Sequence, residues 1–301
     1  MGVRVVVSLV TLVVLISISY LVYSFDSVAV SLRDVAASDM VPLSVVTLYR
    51  FSCMIAAFYT LSQIYLDQRG LEMRYLEATI VLRHFRRFTT FTVWCFSLLF
   101  LYFTLATSCS LALLLGYSNA VPGVTVMATL VLFKISYPMS LLVTTVVSFV
   151  LLPTAVKHDY PFARMFRFRP QMMYNVNVIM MQLAMLIAPP PVTMTHLPYA
   201  ALFGCAYAIF SWFWFHRTSL FYYFFLDYRR PYAVFAYLGL FATLVGFYGL
   251  SYLIAGVARQ ETGRWWTYPC IMLATLCITR FRPPAVTSGR QDDGQTTGKI
   301  R

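Results

Sequence analysis

Negative charge is the scarcest property of this chain. Of 301 residues only 11 are acidic, against 23 lysines and arginines, and no acid falls in the middle of a hydrophobic run. A proton or cation path through a membrane is commonly built from carboxylates at that depth, so their absence counts against such a path. Charge of either sign is thin. Charged residues make up 11% of the chain and hydrophobic residues 60%, with a mean hydropathy of +0.72. A soluble domain carries about a quarter charged residues. No two of Cys53, Cys95, Cys109, Cys205, Cys270 and Cys277 have CxxC spacing, and no histidine stands at zinc-ligand distance from them in sequence. They read as small packing residues, and neither a disulfide framework, a metal nor a cofactor is expected. None of Asn119, Asn175 and Asn177 opens an N-x-S/T sequon, so N-glycosylation is not expected either.

What the chain does have is apolar length. Eight hydrophobic runs cover residues 5–24, 45–66, 88–115, 124–152, 174–188, 198–215, 231–257 and 265–278, the fifth and eighth being short. A membrane span needs about 20 such residues. The expectation is an all-α polytopic transmembrane bundle of about eight spans. With the N-terminus placed in the cytoplasm, eighteen basic residues fall in inner segments and only Arg33, Arg259 and Arg264 in outer ones. That asymmetry predicts both termini cytoplasmic. It also accounts for the net charge of +12 without nucleic acid, because no soluble basic module interleaved with stacking aromatics is present. The first run is longer than a signal-peptide core and lacks an A-x-A site, which favours a retained anchor over a cleaved signal. Residues 1–280 form one membrane domain, and the polar stretch 281–301 reads as a disordered cytoplasmic tail. Endoplasmic reticulum and plasma membrane are not distinguished.

Two inner segments combine cations with apolar residues. In 67–87, Leu71, Met73, Tyr75, Leu76, Ile80 and Leu82 are interspersed with charges, which suits a surface helix on the leaflet. Arg164, Phe166, Arg167, Phe168 and Arg169 form the second, and headgroup anchoring is the simplest role for both. Inside the spans stand Arg50 and Lys134. Each is expected either to snorkel or pair structurally, Arg50 with Asp34 or Asp39, or to line a path. His196 lies at the outer end of the sixth run with no nucleophile or acid near it on that face.

The inner ends of three spans carry polar clusters: Thr89, Thr90 and Thr92 after Arg86-Arg87, Tyr174-Asn175-Val176-Asn177, and Tyr222 through Arg230. Alternating topology puts them at one depth. Thr89, Thr90, Tyr174, Asn177 and Asp227 are therefore expected in one cavity, with Phe91, Met181 and Phe225 as acyl-compatible walls. The alternative is helix capping and hydrogen bonding between helices, with Asp227 paired to the neighbouring arginines.

These clusters carry a family likeness. Phe85-Arg86-Arg87-Phe88-Thr89-Thr90-Phe91-Thr92 with Leu101-Tyr102-Phe103, the Tyr174–Asn177 run, His196-Leu197-Pro198-Tyr199 and Phe224-Phe225-Leu226-Asp227 resemble the motifs of the rolling-stone and androgen-induced membrane protein group. The likeness covers about Leu48 to Ala255. Some androgen-induced members are intramembrane threonine hydrolases of fatty-acid esters, which implies a nucleophile at Thr89 or Thr90. Where that group has histidine, this chain reads Tyr-Asn-Val-Asn. Neither Tyr nor Asn serves as a general base at neutral pH. The resemblance thus implies a lipid-binding, catalytically degenerate relative. A threonine hydrolase is the second reading, and a transporter or structural subunit of a membrane complex the third. Membrane lipids are the expected partners.

Overall fold

The computed structural model describes residues 2–24, 30–75, 78–157, 162–260 and 264–283. All eight hydrophobic runs are helical. In chain order, α1 (Gly2–Ser24), α2 (Leu32–Ala36) and α3 (Leu43–Leu66) precede a hairpin of β1 (Leu71–Tyr75) and β2 (Ala78–Leu82). A 3-10 segment, His84–Thr89, leads into α4 (Phe91–Leu114). Next, α5 (Gly123–Val146) passes through a π-helical turn, Val147–Leu151, into α6 (Leu152–Lys157). Then α7 (Phe168–Gln171), a second π turn (Met172–Val176) and α8 (Asn177–Ile187) run on without a break, and α9 (Leu197–Thr218), α10 (Ala233–Arg259) and α11 (Arg264–Ile278) follow. Of the tail, only residues up to 283 are described.

Six helical stretches are long and apolar enough to cross a membrane: α1, α3, α4, α5 with α6, α9 with its preceding turn, and α10. These are the helices of an integral membrane protein. The other two runs are shorter. The 15-residue α11, interrupted by Pro269, rises about 22 Å, less than the ~30 Å of a hydrocarbon core. The 11-residue α8 completes its run only together with the π turn before it.

The local sequence accounts for the helix ends. Pro42 and Pro122 stand just before α3 and α5, and Pro198 lies in the first turn of α9, where a missing N–H leaves no bond unmade. Ser219 closes α9 in the left-handed region, at φ 56°, with its N–H on the Phe215 carbonyl. Ser31 and Asp34 form a reciprocal capping box on α2.

Burial separates an inner layer from an outer one. In α8 most side chains are buried, among them Val178, Met181, Gln182 and Met185, and α5 is enclosed along most of its length. Helices buried on all faces occupy the centre. The outer helices α1, α3 and α10 present Ile16, Leu48, Phe58, Phe235 and Leu253 outward, the surface expected against lipid. Among the packed pairs are α3 with α4, α4 with α5, α1 with α9 and α10 with α5.

The expected surface helix over 67–87 is not formed. An antiparallel hairpin takes its place, with Leu71 opposite Leu82 and Tyr75 opposite Ala78. The reason is legible in the residues. Leu71, Met73 and Tyr75, then Ile80 and Leu82, recur every second position, which is the period of a strand. Gly70, at φ 73°, has no room for a Cβ: one would meet Val81 Cγ1 at 2.7 Å and the Leu82 carbonyl at 2.9 Å.

Candidate functional site

The five residues expected to share a cavity are distributed over three separate arrangements. Thr89 Oγ1 lies 2.6 Å from the Arg86 carbonyl and 2.7 Å from the Tyr222 hydroxyl, and Thr90 Oγ1 donates to the Arg87 carbonyl at 3.1 Å. Tyr174 and Asn177 are brought together by Thr144, whose hydroxyl reaches the Tyr174 carbonyl at 2.5 Å and Asn177 Oδ1 at 3.3 Å. Asp227, only 1% exposed, accepts from Arg229 Nε at 2.8 Å and Nη2 at 3.0 Å. Arg230 Nε stands 3.6 Å from the same carboxylate. Asp227 thus matches the ion-pair alternative, and Thr90 caps the turn into α4.

A cavity does exist beside them. A cavity of about 130 Å³, partly open to the outside, lies between α1, α4, α5, α9, α10 and the segment after α9. None of Thr89, Thr90, Tyr174, Asn177 and Asp227 lines it, and neither does Met181, which is buried in the core instead. The expected walls Phe91 and Phe225 are present, joined by Thr92, Tyr223 and Leu226, each a near neighbour in sequence of an expected site residue.

The void has a cause in sequence. Ala201, Gly204, Cys205 and Ala208 recur at helical spacing on α9, so the face it turns to the cavity is made of small side chains. The opposing stripes are large and apolar: Met139, Leu142, Val143 and Val146 on α5, and Leu240, Phe241 and Leu244 on α10. Helices held apart by large residues opposite small ones leave space. That i, i+3, i+4, i+7 series of small residues was the available signal, and reading the inner ends by polarity alone missed it.

The hydroxyls around the cavity are already engaged by protein. Tyr207 donates to the Thr89 carbonyl at 3.2 Å, and Tyr237 donates to the Leu226 carbonyl at 2.9 Å while accepting from Trp212 Nε1 at 2.7 Å. Tyr223 and Thr92 face each other at 3.5 Å. The cavity wall therefore offers chiefly hydrocarbon contact.

The chemistry for hydrolysis at Thr89 is missing among the described residues. Its hydroxyl partner is Tyr222, whose own hydroxyl is pushed up to about 12, chiefly by burial, against the lowering effect of the Thr89 bond. Such a group does not accept a proton from threonine at neutral pH. His84 Nδ1 is bonded to the Tyr65 carbonyl, the His216 ring sits edge-on to Phe215, and His196 is bonded to Lys134 and Thr193. His158 lies outside the described residues.

One further expectation is corrected here, and Lys134, His196 and Asn175 have partners that the sequence did not name. Arg50 is not held by Asp34 or Asp39 but by neutral oxygens: the carbonyls of Val35 at 2.8 Å, Ala36 at 3.0 Å and Ala106 at 3.4 Å, with Ser110 Oγ at 3.3 Å. Asp34 is engaged by Ser31, and hydrogen bonds from that side chain and backbone hold its carboxyl below the usual range. Lys134 does not snorkel; it is 2% exposed, with Nζ 2.6 Å from His196 Nδ1. His196 therefore has a partner from across the bundle. Asn175 has a structural task that sequence did not disclose. Its side-chain amide accepts from the Arg280 N–H at 3.1 Å and donates to the Arg280 carbonyl at 2.8 Å, clamping the end of α11.

No family model, curated protein or solved structure matches the chain.

Proposed function

We propose that this is a multi-pass membrane protein that holds an acyl chain in the cavity between α1, α5, α9 and α10, as a catalytically degenerate relative of the rolling-stone and androgen-induced group, both termini facing the cytoplasm. The observation that carries the reading is a cavity with apolar walls whose few hydroxyls are bonded to protein. Concave apolar sites of this kind bury most of a ligand's surface. The family relationship rests on the motifs around Phe85–Thr92 and Phe224–Asp227, and the orientation on the distribution of the basic residues.

Filling the cavity separates lipid binding from folding. Ala208→Leu places extra methyl groups into the void, so the variant should be as stable as the parent or more stable, by up to about 1 kcal/mol. Retention of acyl lipid through purification, measured by mass spectrometry, should fall about tenfold, equivalent to ~1.4 kcal/mol. Undiminished retention in a well-folded Ala208→Leu protein would sink the proposal.

The threonine-hydrolase reading needs a base beside Thr89 or Thr90. In its absence, serine-hydrolase probes should label the protein weakly, and turnover of fatty-acid esters should be unchanged in Thr89→Ala and Thr90→Ala. Strong labelling of the parent, lost in either variant, would restore the hydrolase. A transport role has less support, because Arg50 is engaged by backbone carbonyls of α2 and α4 and Lys134 is enclosed.

A further inference from the structure

The segment between the hairpin and α4 forms a second site, distinct from the cavity. Val81, Arg83, His84, Phe85 and Arg86 surround an open cleft of about 380 Å³. Arg83 and Arg86 are the first and fourth residues of a 3-10 turn closed by the Arg86 N–H on the Arg83 carbonyl at 3.0 Å. Both side chains are exposed and line this one cleft. Arg87 turns inward instead. It meets Asp67 Oδ2 at 2.8 Å, and Arg169 reaches the same oxygen at 2.6 Å. Burial raises the Asp67 carboxyl but the two arginines outweigh it, leaving it below the usual range. That carboxylate is committed to Arg87 and Arg169. Neither Arg83 nor Arg86 meets a carboxylate among the described residues.

The backbone at this point is held in an uncommon conformation. Among the described residues His84 is one of two non-glycine residues at positive φ, 47°, fixed by Nδ1 on the Tyr65 carbonyl at 3.0 Å. Such geometry persists where surrounding structure imposes it. It projects Phe85, 73% exposed, against Tyr65 at a ring distance of 4.8 Å and beside the exposed Leu66 and Val81. An apolar wedge therefore adjoins two cations that meet no carboxylate among the described residues, at the level where α3 ends and α4 begins.

We propose that this cleft binds the phosphate of an anionic membrane phospholipid, with Arg83 and Arg86 on the phosphate oxygens and Phe85 inserted among the acyl chains. Guanidinium groups match phosphate oxygens in geometry as well as charge. Aromatic side chains favour the membrane–water boundary. The apolar wedge selects a lipid over a soluble phosphate, for which an exposed phenylalanine has no use. The site rests on α3 and α4 crossing a membrane and is independent of the acyl cavity, so either can fail alone.

The test uses the full chain in phosphatidylcholine nanodiscs containing a minority of phosphatidate, with retained phosphatidate counted by native mass spectrometry. Arg83→Gln/Arg86→Gln should lower retention on the order of tenfold, and Phe85→Ala should lower it less. Arg4→Gln/Arg282→Gln removes the same charge from two exposed positions elsewhere in the chain and should leave retention unchanged. Because Arg83, Phe85 and Arg86 are exposed, their variants should keep the parental unfolding temperature; if the double glutamine variant misfolds, Arg83→Lys/Arg86→Lys should still show a partial loss. Equal loss in the Arg4/Arg282 variant would mean diffuse attraction to headgroups and overturn the site. Full retention in a folded double variant, or displacement of the lipid by glycerol phosphate, would overturn it as well.

Discussion

Arg50→Met is expected to destabilise the protein by about 3 kcal/mol, the scale of losing charge-assisted hydrogen bonds to buried acceptors. Arg50 is 2% exposed and its guanidinium ties three elements together. It holds the last carbonyls of α2 and the Ala106 carbonyl and Ser110 hydroxyl of α4, from a position on α3. The end of a helix carries partial negative charge and unsatisfied carbonyls, so a cation there is well placed. Methionine fills similar space but leaves those oxygens without donors in an apolar setting. Thermal unfolding in a single detergent should show a clear loss, and α2 should become accessible to cysteine labelling at Ser38→Cys in the Arg50→Met background. An unfolding temperature equal to that of the parent would show that water or lipid satisfies these carbonyls equally well.

Lys134→Met should have the opposite sign, stabilising by about 2 kcal/mol, within the range measured when buried ions are replaced by well-packed apolar residues. The contrast lies in the partners. Arg50 meets four oxygens, whereas the Lys134 amine meets one ring nitrogen, His196 Nδ1, among the described residues. That nitrogen also lies 2.6 Å from Thr193 Oγ1, so it keeps a partner when the lysine is removed. A buried amine with one acceptor has lost most of its hydration for little return. Destabilisation by Lys134→Met, comparable to that of Arg50→Met, would show that the amine has acceptors the contacts do not reveal. A stabilised protein that has lost a cellular role would mark Lys134 as retained for function at a cost in stability.

The helical runs were legible because membrane solvation imposes a crude rule, long apolar segments with their backbone bonded internally. Where two periods competed, the reading went astray. The 67–87 segment contains both charge interspersion and alternation by two, and the second governs, helped by Gly70, whose missing side chain lets Val81 and Leu82 of β2 approach closely. The expected inner-face residues lie close in sequence to the cavity without lining it. Thr89 and Asp227 flank it because polar groups at helix ends bind backbone, while the space itself arises from small residues on α9. Polarity marks where helices begin; it does not mark where they fail to touch.

Composition and the length of the apolar runs therefore determined that this chain is a helical membrane protein, because burial of so many apolar residues and so few charges has few solutions in water or lipid. Which helices lie side by side is set by complementarity of side-chain volume, a property of pairs of residues distant in the chain. Only the tertiary structure decided that α5 and α8 are central, that Arg50 closes on α2 carbonyls, that Lys134 meets His196, and that Arg87 turns to Asp67. Each depends on which oxygen, ring or void the fold brings within a few ångströms, and no local pattern carries that distance.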